Sequence, residues 1–175
     1  MLKPGDPAPP FDLACAFEGR IARSSLAKIK TSLVIVFFYP RDFSFVCPTE
    51  VIGFNQALAD FTAEDTSIVG VSVDDVESHL RWARELGGID YPLLSDPDGD
   101  LARAYGVFDE DEKVALRATF ILDPKRKVVF ASSCPLNVGR SIGETLRIVR
   151  ALRTGQLCPA DWKPGMNLGP SGPKL

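Results

Sequence analysis

The pattern of apolar positions predicts two buried strands, each followed by a helix. Residues 33–39 form the first apolar stretch and residues 67–73 the second, and both are typical of strands buried on both faces. Apolar residues at helical spacing predict a helix over 47–63. The apolar face of that helix is formed by Val51, Phe54, Leu58 and Phe61. A second helical pattern ends at Gly87-Gly88. The resulting order strand–helix–strand–helix predicts a right-handed parallel unit.

The second half of the chain predicts a hairpin and a last helix. Apolar residues 118–122 and 127–131 flank a polar turn at 123–126, which is a hairpin signal. A helical pattern that starts near Ile142 ends at Gly155. The order β-α-β-α followed by β-β-α is that of a thioredoxin-like core. We therefore expect an α/β protein whose central mixed sheet is flanked by helices.

Composition divides the chain into one domain and a C-terminal arm. A length of 175 residues suits one domain with a sizeable core. Prolines in residues 3–10 predict an extended N-terminal segment. Residues 155–175 contain four glycines and four prolines. We therefore predict a thioredoxin-like domain over 1–154 and a C-terminal arm over 155–175.

Charge and hydropathy argue against two classes of partner. A formal net charge of -3 and the lack of a long Lys/Arg run argue against nucleic acid. The longest apolar stretch is far shorter than the roughly 18–20 residues of a membrane-spanning helix. Residues 1–15 lack the apolar core of a secretory signal. We therefore expect a cytoplasmic protein with no membrane partner.

Cysteine spacing argues against a metal centre. The chain contains Cys15, Cys47, Cys134 and Cys158. No two of them have CxxC spacing, and a single histidine is present, so zinc and iron–sulfur sites are not expected. An even cysteine count without a secretory signal does not imply a structural disulfide framework. Catalytic or incidental thiols are the better interpretation.

Cys47 lies where the polar turn after the first strand meets the first helix. The unpaired N–H groups and the dipole of a helix N-terminus stabilise a thiolate. Pro48 suits the first helical turn, where a missing N–H costs nothing. The alternative is a small buried hydrophobic residue, as free cysteines often are. The polar turn at residues 40–42 favours the reactive thiol.

The chain closely resembles the peroxiredoxins in residues 38–50, which read Phe-Tyr-Pro-Arg-Asp-Phe-Ser-Phe-Val-Cys-Pro-Thr-Glu. More narrowly, it resembles the typical two-cysteine group, which includes the peroxidase component of bacterial alkyl hydroperoxide reductase. Further similar segments are 7–9, 72–74, 92–96, 117–123, 138–141 and 158–165. The family pattern Pro-x-x-x-Thr/Ser-x-x-Cys, with a distant arginine, falls on Pro40, Ser44, Cys47 and Arg117.

This resemblance implies a thiol-dependent peroxidase that reduces hydrogen peroxide and organic hydroperoxides in antioxidant defence, without a cofactor of its own. Cys47 would attack the peroxide and become a sulfenic acid, and Cys158 would resolve it to a disulfide. Thioredoxin or a flavoprotein reductase would restore both thiols. The resemblance also implies a homodimer joined by two Cys47–Cys158 disulfides between subunits, which can assemble further into a decamer.

The site residues have expected roles in stabilising the transition state. Arg117 offers a charged planar fork of donors to the peroxide oxygens. The Ser44 hydroxyl and the Cys47 N–H are expected to donate as well, and Pro40 to help exclude water. The residues alone leave other readings open: Arg117 could be an edge charge, Ser44 a helix cap and Pro40 the end of a strand.

Several residues outside this set also carry expectations. Either Glu50 or Arg140 is expected to orient Arg117. Cys15 and Cys134 are expected to be incidental, with Cys134 as the second candidate for the resolving thiol. His79 falls on an amphipathic helix and is expected at a surface or an interface.

The chain departs from the family at three places. Residue 44 is Ser where many relatives have Thr, residues 132–137 differ from the usual pattern and add a cysteine, and residues 170–175 lack a Tyr-Phe helix.

Two other functions stay open. A general thiol–disulfide oxidoreductase would need a second cysteine at position 50, where Glu50 stands. A holdase chaperone or redox-regulated structural oligomer would not consume peroxide.

Overall fold

A seven-stranded mixed sheet lies at the centre of the computed structural model, which describes residues 1–172. The strands are β1 (Asp12–Phe17), β2 (Arg20–Ser25), β3 (Leu33–Phe38), β4 (Thr66–Ser72), β5 (Leu93–Ser95), β6 (Phe108–Asp109), β7 (Val114–Ala115), β8 (Arg117–Leu122) and β9 (Val128–Cys134). The helices are α1 (Cys47–Gln56), α2 (Leu58–Ala63), α3 (Val76–Glu85), α4 (Asp100–Ala104) and α5 (Ile142–Thr154), with a 3₁₀ turn at Leu26–Lys28. Residues 173–175, the end of the predicted arm, lie outside the described part.

The sheet has the order β2-β1-β5-β4-β3-β8-β9, while β6 and β7 form a separate ribbon. At its centre, β3 pairs parallel with β4 and antiparallel with β8. This confirms the predicted parallel unit, the hairpin of β8 and β9, and a mixed sheet flanked by helices. In the part of the chain described, no helix has both the length and the apolar character needed to cross a bilayer.

All six residues of β3 are buried because β3 has a strand on either side and a packed layer on each face. Its side chains alternate between two apolar clusters. Ile35 and Phe37 pack toward α1, α2 and α5, whereas Val34 and Phe38 pack toward α4 and the N-terminal segment. The carboxyl end of this rigid strand leads directly into the segment that carries Cys47.

Helix α1 is fixed to the sheet by an aromatic contact. The rings of Phe37 and Phe54 stack with centroids 4.4 Å apart. Gly70 on β4 makes room for this contact, because a Cβ there would lie 2.8 Å from the Phe37 ring. The start of α1, and Cys47 with it, is therefore held against the buried end of β3.

The structure differs from the predicted elements in two places. The helix predicted over 47–63 is interrupted at Ala57, where ψ is 3° and the chain turns from α1 into α2. The β1–β2 hairpin and the three-residue β5 were not predicted from the apolar pattern. Residues 20–25 are exposed or half-buried and mostly polar because β2 is an edge strand, so they carry no clear alternation.

The chain after α5 folds back on itself. Gly155 ends the helix with a φ of 63°, a conformation that favours glycine. Leu157 N donates to Pro170 O at 3.0 Å, and Gly169 N donates to Leu157 O at 2.8 Å. Trp162 packs into this folded-back segment and is only 4% exposed. The boundary between a domain over 1–154 and an arm remains a prediction.

Candidate active site

Cys47 is the first residue of α1 and is fully buried, at 0% exposure. The predicted junction of strand, turn and helix is therefore confirmed, with Pro48 in the first helical turn. The backbone N–H of Cys47 donates to Ser44 Oγ at 3.3 Å. Ser44 thus satisfies the first backbone N–H of α1, although the N-cap residue is Val46. The hydroxyl proton of Ser44 stays able to donate. Pro40 is half-buried at the end of β3.

Arg117 brings a buried positive charge to the thiol. It is the first residue of β8 and only 4% exposed, so it is not an edge charge. Its Nη1 lies 3.2 Å from Cys47 Sγ and 2.7 Å from Glu50 Oε2. Its Nε donates to Leu136 O at 2.7 Å. Nη2 has no hydrogen-bond partner among the residues described, which leaves one arm of the fork for a ligand.

Glu50 links Arg117 to a second buried arginine. Its Oε1 accepts from both Nε and the backbone N of Arg140, each at 2.9 Å. Arg140 also donates to Ala118 O at 2.8 Å and to the carbonyl of Phe38. The sequence leaves open whether Glu50 or Arg140 orients Arg117. Glu50 contacts it directly, and Arg140 acts through Glu50.

The charges of this cluster do not balance without the thiol. Arg117 and Arg140 carry two positive charges and Glu50 carries one negative charge, while all three side chains are 4% exposed or less. An uncompensated buried charge is costly. Since Cys47 Sγ touches Arg117, a thiolate at Cys47 would bring the cluster to neutrality. The geometry therefore provides a built place for an anionic sulfur.

His79 is enclosed within the chain, so the expectation of a position at a surface or an interface was wrong. It is 0% exposed, with Nδ1 2.9 Å from Asp42 Oδ2 and Nε2 3.0 Å from Leu94 O. The hydroxyl of Tyr39 donates to Asp42 Oδ1 at 2.9 Å. Burial, reinforced by the Asp42 charge, raises the pKa of Tyr39 well above its ordinary value. This network fixes the turn between β3 and Cys47.

The missed position of His79 had a sequence signal. His79 and Trp82 lie three residues apart on α3, and both are buried. A histidine on the face of a helix that carries a tryptophan is more naturally placed inward. The identity of its partner could not be read locally, because Asp42 lies 37 positions away along the chain.

Cys158 lies at the far end of α5 from Cys47. Helix α5 runs alongside α1 and α2: its first residue, Ile142, packs on Gly53, and Arg150 Nη2 pairs with Asp60 Oδ1 at 2.8 Å. The 13 residues of α5 span about 20 Å at the rise of an α-helix. Within one chain, Cys47 and Cys158 are therefore separated by roughly this helix length.

The four cysteines are free thiols in this structure. Cys15 is buried on β1, and burial raises the pKa of its thiol. Cys134 ends β9, and Cys158 is half-buried beside Ala151 O at 3.7 Å. Within residues 1–172, no cluster of histidine, cysteine and carboxylate side chains is arranged to hold a metal ion.

Comparisons with known proteins show the family of this chain. The AhpC/TSA family profile matches residues 4–131. The peroxiredoxin prdx-2 of Caenorhabditis elegans is 41% identical over 171 residues, covering 92% of this chain and 85% of the relative. The chloroplastic 2-Cys peroxiredoxin BAS1 of Spinacia oleracea is 39% identical over 182 residues, covering 98% of this chain and 69% of the relative.

Solved structures give the same result and confirm the thioredoxin-like fold. Reduced 2-Cys peroxiredoxin of Plasmodium vivax superposes with a TM-score of 0.88 at 33% identity, covering 96% of this chain and 93% of that structure. AhpC of Mycobacterium tuberculosis gives a TM-score of 0.84 at 33% identity, covering 93% of this chain and 99% of that structure. The chain therefore belongs to the AhpC/TSA family and is a peroxiredoxin, a thiol-dependent peroxidase.

Proposed function

We propose that Cys47 is the thiol that attacks the peroxide. The observation that carries this proposal is the 3.2 Å contact between Arg117 Nη1 and Cys47 Sγ, inside a cluster whose charge a thiolate completes. The sulfur forms a bond to one peroxide oxygen while the O–O bond breaks. The other oxygen leaves with the bonding electrons and takes up a proton, giving water or an alcohol and the Cys47 sulfenic acid.

Ionisation of the thiol supplies only a small part of the required acceleration. An ordinary cysteine is already a few per cent thiolate at neutral pH, so complete ionisation gains about 30-fold. The remainder comes from donors aimed at the oxygens where charge develops. The free Nη2 of Arg117 and the Ser44 hydroxyl are the candidate donors. The Cys47 N–H is already engaged with Ser44, so it joins them only if that bond opens. Pro40, half-buried just after β3, is expected to help exclude water.

Cys158 is the proposed resolving thiol, and its position favours a disulfide between two subunits. Within one chain it lies about a helix length of α5 from Cys47, whereas a disulfide requires Cα atoms roughly 4.4–6.8 Å apart. A second copy of the chain could bring its own Cys158 to Cys47 without moving α5. We therefore propose a homodimer with two Cys47–Cys158 disulfides, which can assemble further into a decamer.

The substrates and the reductant follow from the same chemistry. The free Nη2 of Arg117 can donate to the oxygens of hydrogen peroxide and of organic hydroperoxides, and a thiol such as that of thioredoxin or of a flavoprotein reductase would reopen the disulfide. A cytoplasmic location completes the proposal. The rival reading as a general thiol–disulfide oxidoreductase is not favoured, because Glu50 occupies the position of the second cysteine and is bound to Arg117.

Trapping the first product tests this proposal. The reduced protein is mixed with one equivalent of hydrogen peroxide in the presence of dimedone, and the labelled cysteine is located by peptide mass spectrometry. We expect the label on Cys47. Turnover is then measured with thioredoxin and with a flavoprotein reductase in separate assays, which identifies the reductant. A label found mainly on Cys15 or Cys158 would contradict the assignment.

A further inference from the structure

Cys134 lies directly across from the arginine that touches Cys47. The register of β8 and β9 pairs Arg117 with Cys134. Directly opposed residues of antiparallel strands point to the same face of the sheet, with Cβ atoms about 4.5–5.5 Å apart. Because the guanidinium of Arg117 reaches Cys47 Sγ, Cys134 is on the face that carries the reactive thiol.

The packing of the two strands agrees with this assignment. Ile121, four residues after Arg117 on β8, belongs to the same apolar cluster as Cys47. Its partner on β9 is Phe130, which packs against that cluster as well. Since side chains of a strand alternate with a period of two, Phe130 and Cys134 share a face.

The chain that leaves Cys134 closes over the start of α1. Leu136 O accepts from Arg117 Nε at 2.7 Å. A Cβ added to Gly139 would lie 3.3 Å from Cγ1 of Val46. Val46 is the residue just before Cys47. Cys134 is half-buried, and the chain that follows it contacts Arg117 two residues later, at Leu136. Cys158 borders a cavity with Phe130 instead. Phe130 precedes Cys134 by four residues on β9, which is about 13 Å at the strand rise.

We propose that Cys134 is a second, intrachain acceptor for the oxidised Cys47. The thiolate of Cys134 attacks the sulfenic sulfur of Cys47, the S–S bond forms, and the hydroxyl leaves as water after taking up a proton. This inference rests on the proposed role of Cys47 as the peroxidatic thiol. The reaction requires the first turn of α1 to open, and the Cys47 N–H is held there by one 3.3 Å bond to Ser44.

The intrachain disulfide competes with further oxidation of Cys47. A sulfenic acid that finds no thiol proceeds to the sulfinic acid in excess peroxide. Cys158 of a second subunit is the main acceptor, and Cys134 acts when that subunit is absent or its Cys158 is already oxidised. The added cysteine would thus let a single chain return to the thiol state through a reducible disulfide.

The test uses the full-length Cys158→Ser protein. After reduction and treatment with one equivalent of hydrogen peroxide, peptide mass spectrometry under non-reducing conditions should find Cys47 linked to Cys134, while the intact protein runs as a monomer. Adding Cys134→Ser to this background should abolish the link and make sulfinic Cys47 accumulate several-fold faster in excess peroxide. Adding Cys15→Ser instead should change neither result, and Cys158→Ala repeats the test with a different side chain.

Each other outcome overturns the inference in an identifiable way. If Cys47 is labelled by dimedone but no Cys47–Cys134 link forms, the proposed peroxidatic role stands and the intrachain acceptor is wrong. A Cys47–Cys134 link found only in a covalent dimer would also overturn it. If Cys47 is not oxidised at all, both proposals fail together.

Discussion

Arg117 and Cys47 are 70 positions apart in the chain, yet Arg117 Nη1 lies 3.2 Å from Cys47 Sγ. The same nitrogen donates to Glu50 Oε2 at 2.7 Å. The pair joins the first residue of β8 to the first residue of α1. Because both elements are anchored in the core, the contact is set by the fold and exists before any peroxide binds.

Removing the guanidinium should slow the reaction with peroxide strongly. Arg117→Ala deletes a donor aimed at the reacting atoms, and the loss of one such donor typically costs about 2.7–4 kcal/mol, or roughly 10²–10³ in rate. The second-order rate constant for oxidation by hydrogen peroxide measures the effect. Arg147→Ala is the matched control, since Arg147 pairs with Glu144 at the surface. A rate constant for Arg117→Ala close to that of the control would contradict the assigned role.

Removing the bridging carboxylate should destabilise the fold. Glu50→Gln leaves two buried guanidinium groups without their counter-ion. Removing one partner of a buried ion pair lowers the free energy of unfolding by about 3–5 kcal/mol. Urea unfolding measures the free energy of unfolding. Glu144→Gln removes a half-exposed carboxylate from an equivalent arginine pair, and should cost about 1 kcal/mol or less. Equal losses in the two variants would show that the Glu50 bridge adds no stability.

The Cys15 thiol should react slowly with an alkylating agent. Burial raises its pKa, so at a given pH a smaller fraction is thiolate than for an ordinary cysteine. Mass spectrometry after brief iodoacetamide treatment should find half-buried Cys158 labelled before Cys15. The labelling of Cys15 should increase as the pH rises, and unfolding in urea should remove the difference. Early labelling of Cys15 in the folded protein would contradict this expectation.

The covalent dimer should depend on Cys158. Peroxide-treated wild type should run as a dimer on a non-reducing gel, while Cys158→Ser should run as a monomer, because Cys47 and Cys158 of one chain lie at opposite ends of α5. Cys15→Ser should still form the dimer. A dimer that persists in Cys158→Ser would assign the intersubunit bond to another cysteine.

Local patterns were enough to predict the framework of the site. The apolar run of β3 and the helical spacing after Cys47 are properties of neighbouring residues. The junction that places Cys47 at the N-terminus of a helix could therefore be predicted from them. The family pattern then pointed to Arg117, which its own surroundings in sequence leave ambiguous. Its burial and contact with Cys47 emerge only when β8 pairs with β3.

Long-range polar contacts could not be predicted in the same way. Glu50 and Arg140 are 90 positions apart in the chain, and His79 and Asp42, whose side chains are in contact, are 37 positions apart. Such pairs depend on which elements become neighbours in the sheet and its helical layers. The position of Cys134 has the same origin, because it follows from the register of β9 on β8.

The most direct test of the central claim is rapid mixing of the reduced protein with hydrogen peroxide, comparing wild type with Cys47→Ser. Wild type should consume peroxide in a fast second-order phase. Cys47→Ser keeps Cys15, Cys134 and Cys158 but should show no fast phase, because none of these thiols is held at a helix N-terminus by the Arg117 guanidinium. A fast phase of equal rate and amplitude in Cys47→Ser would contradict the account.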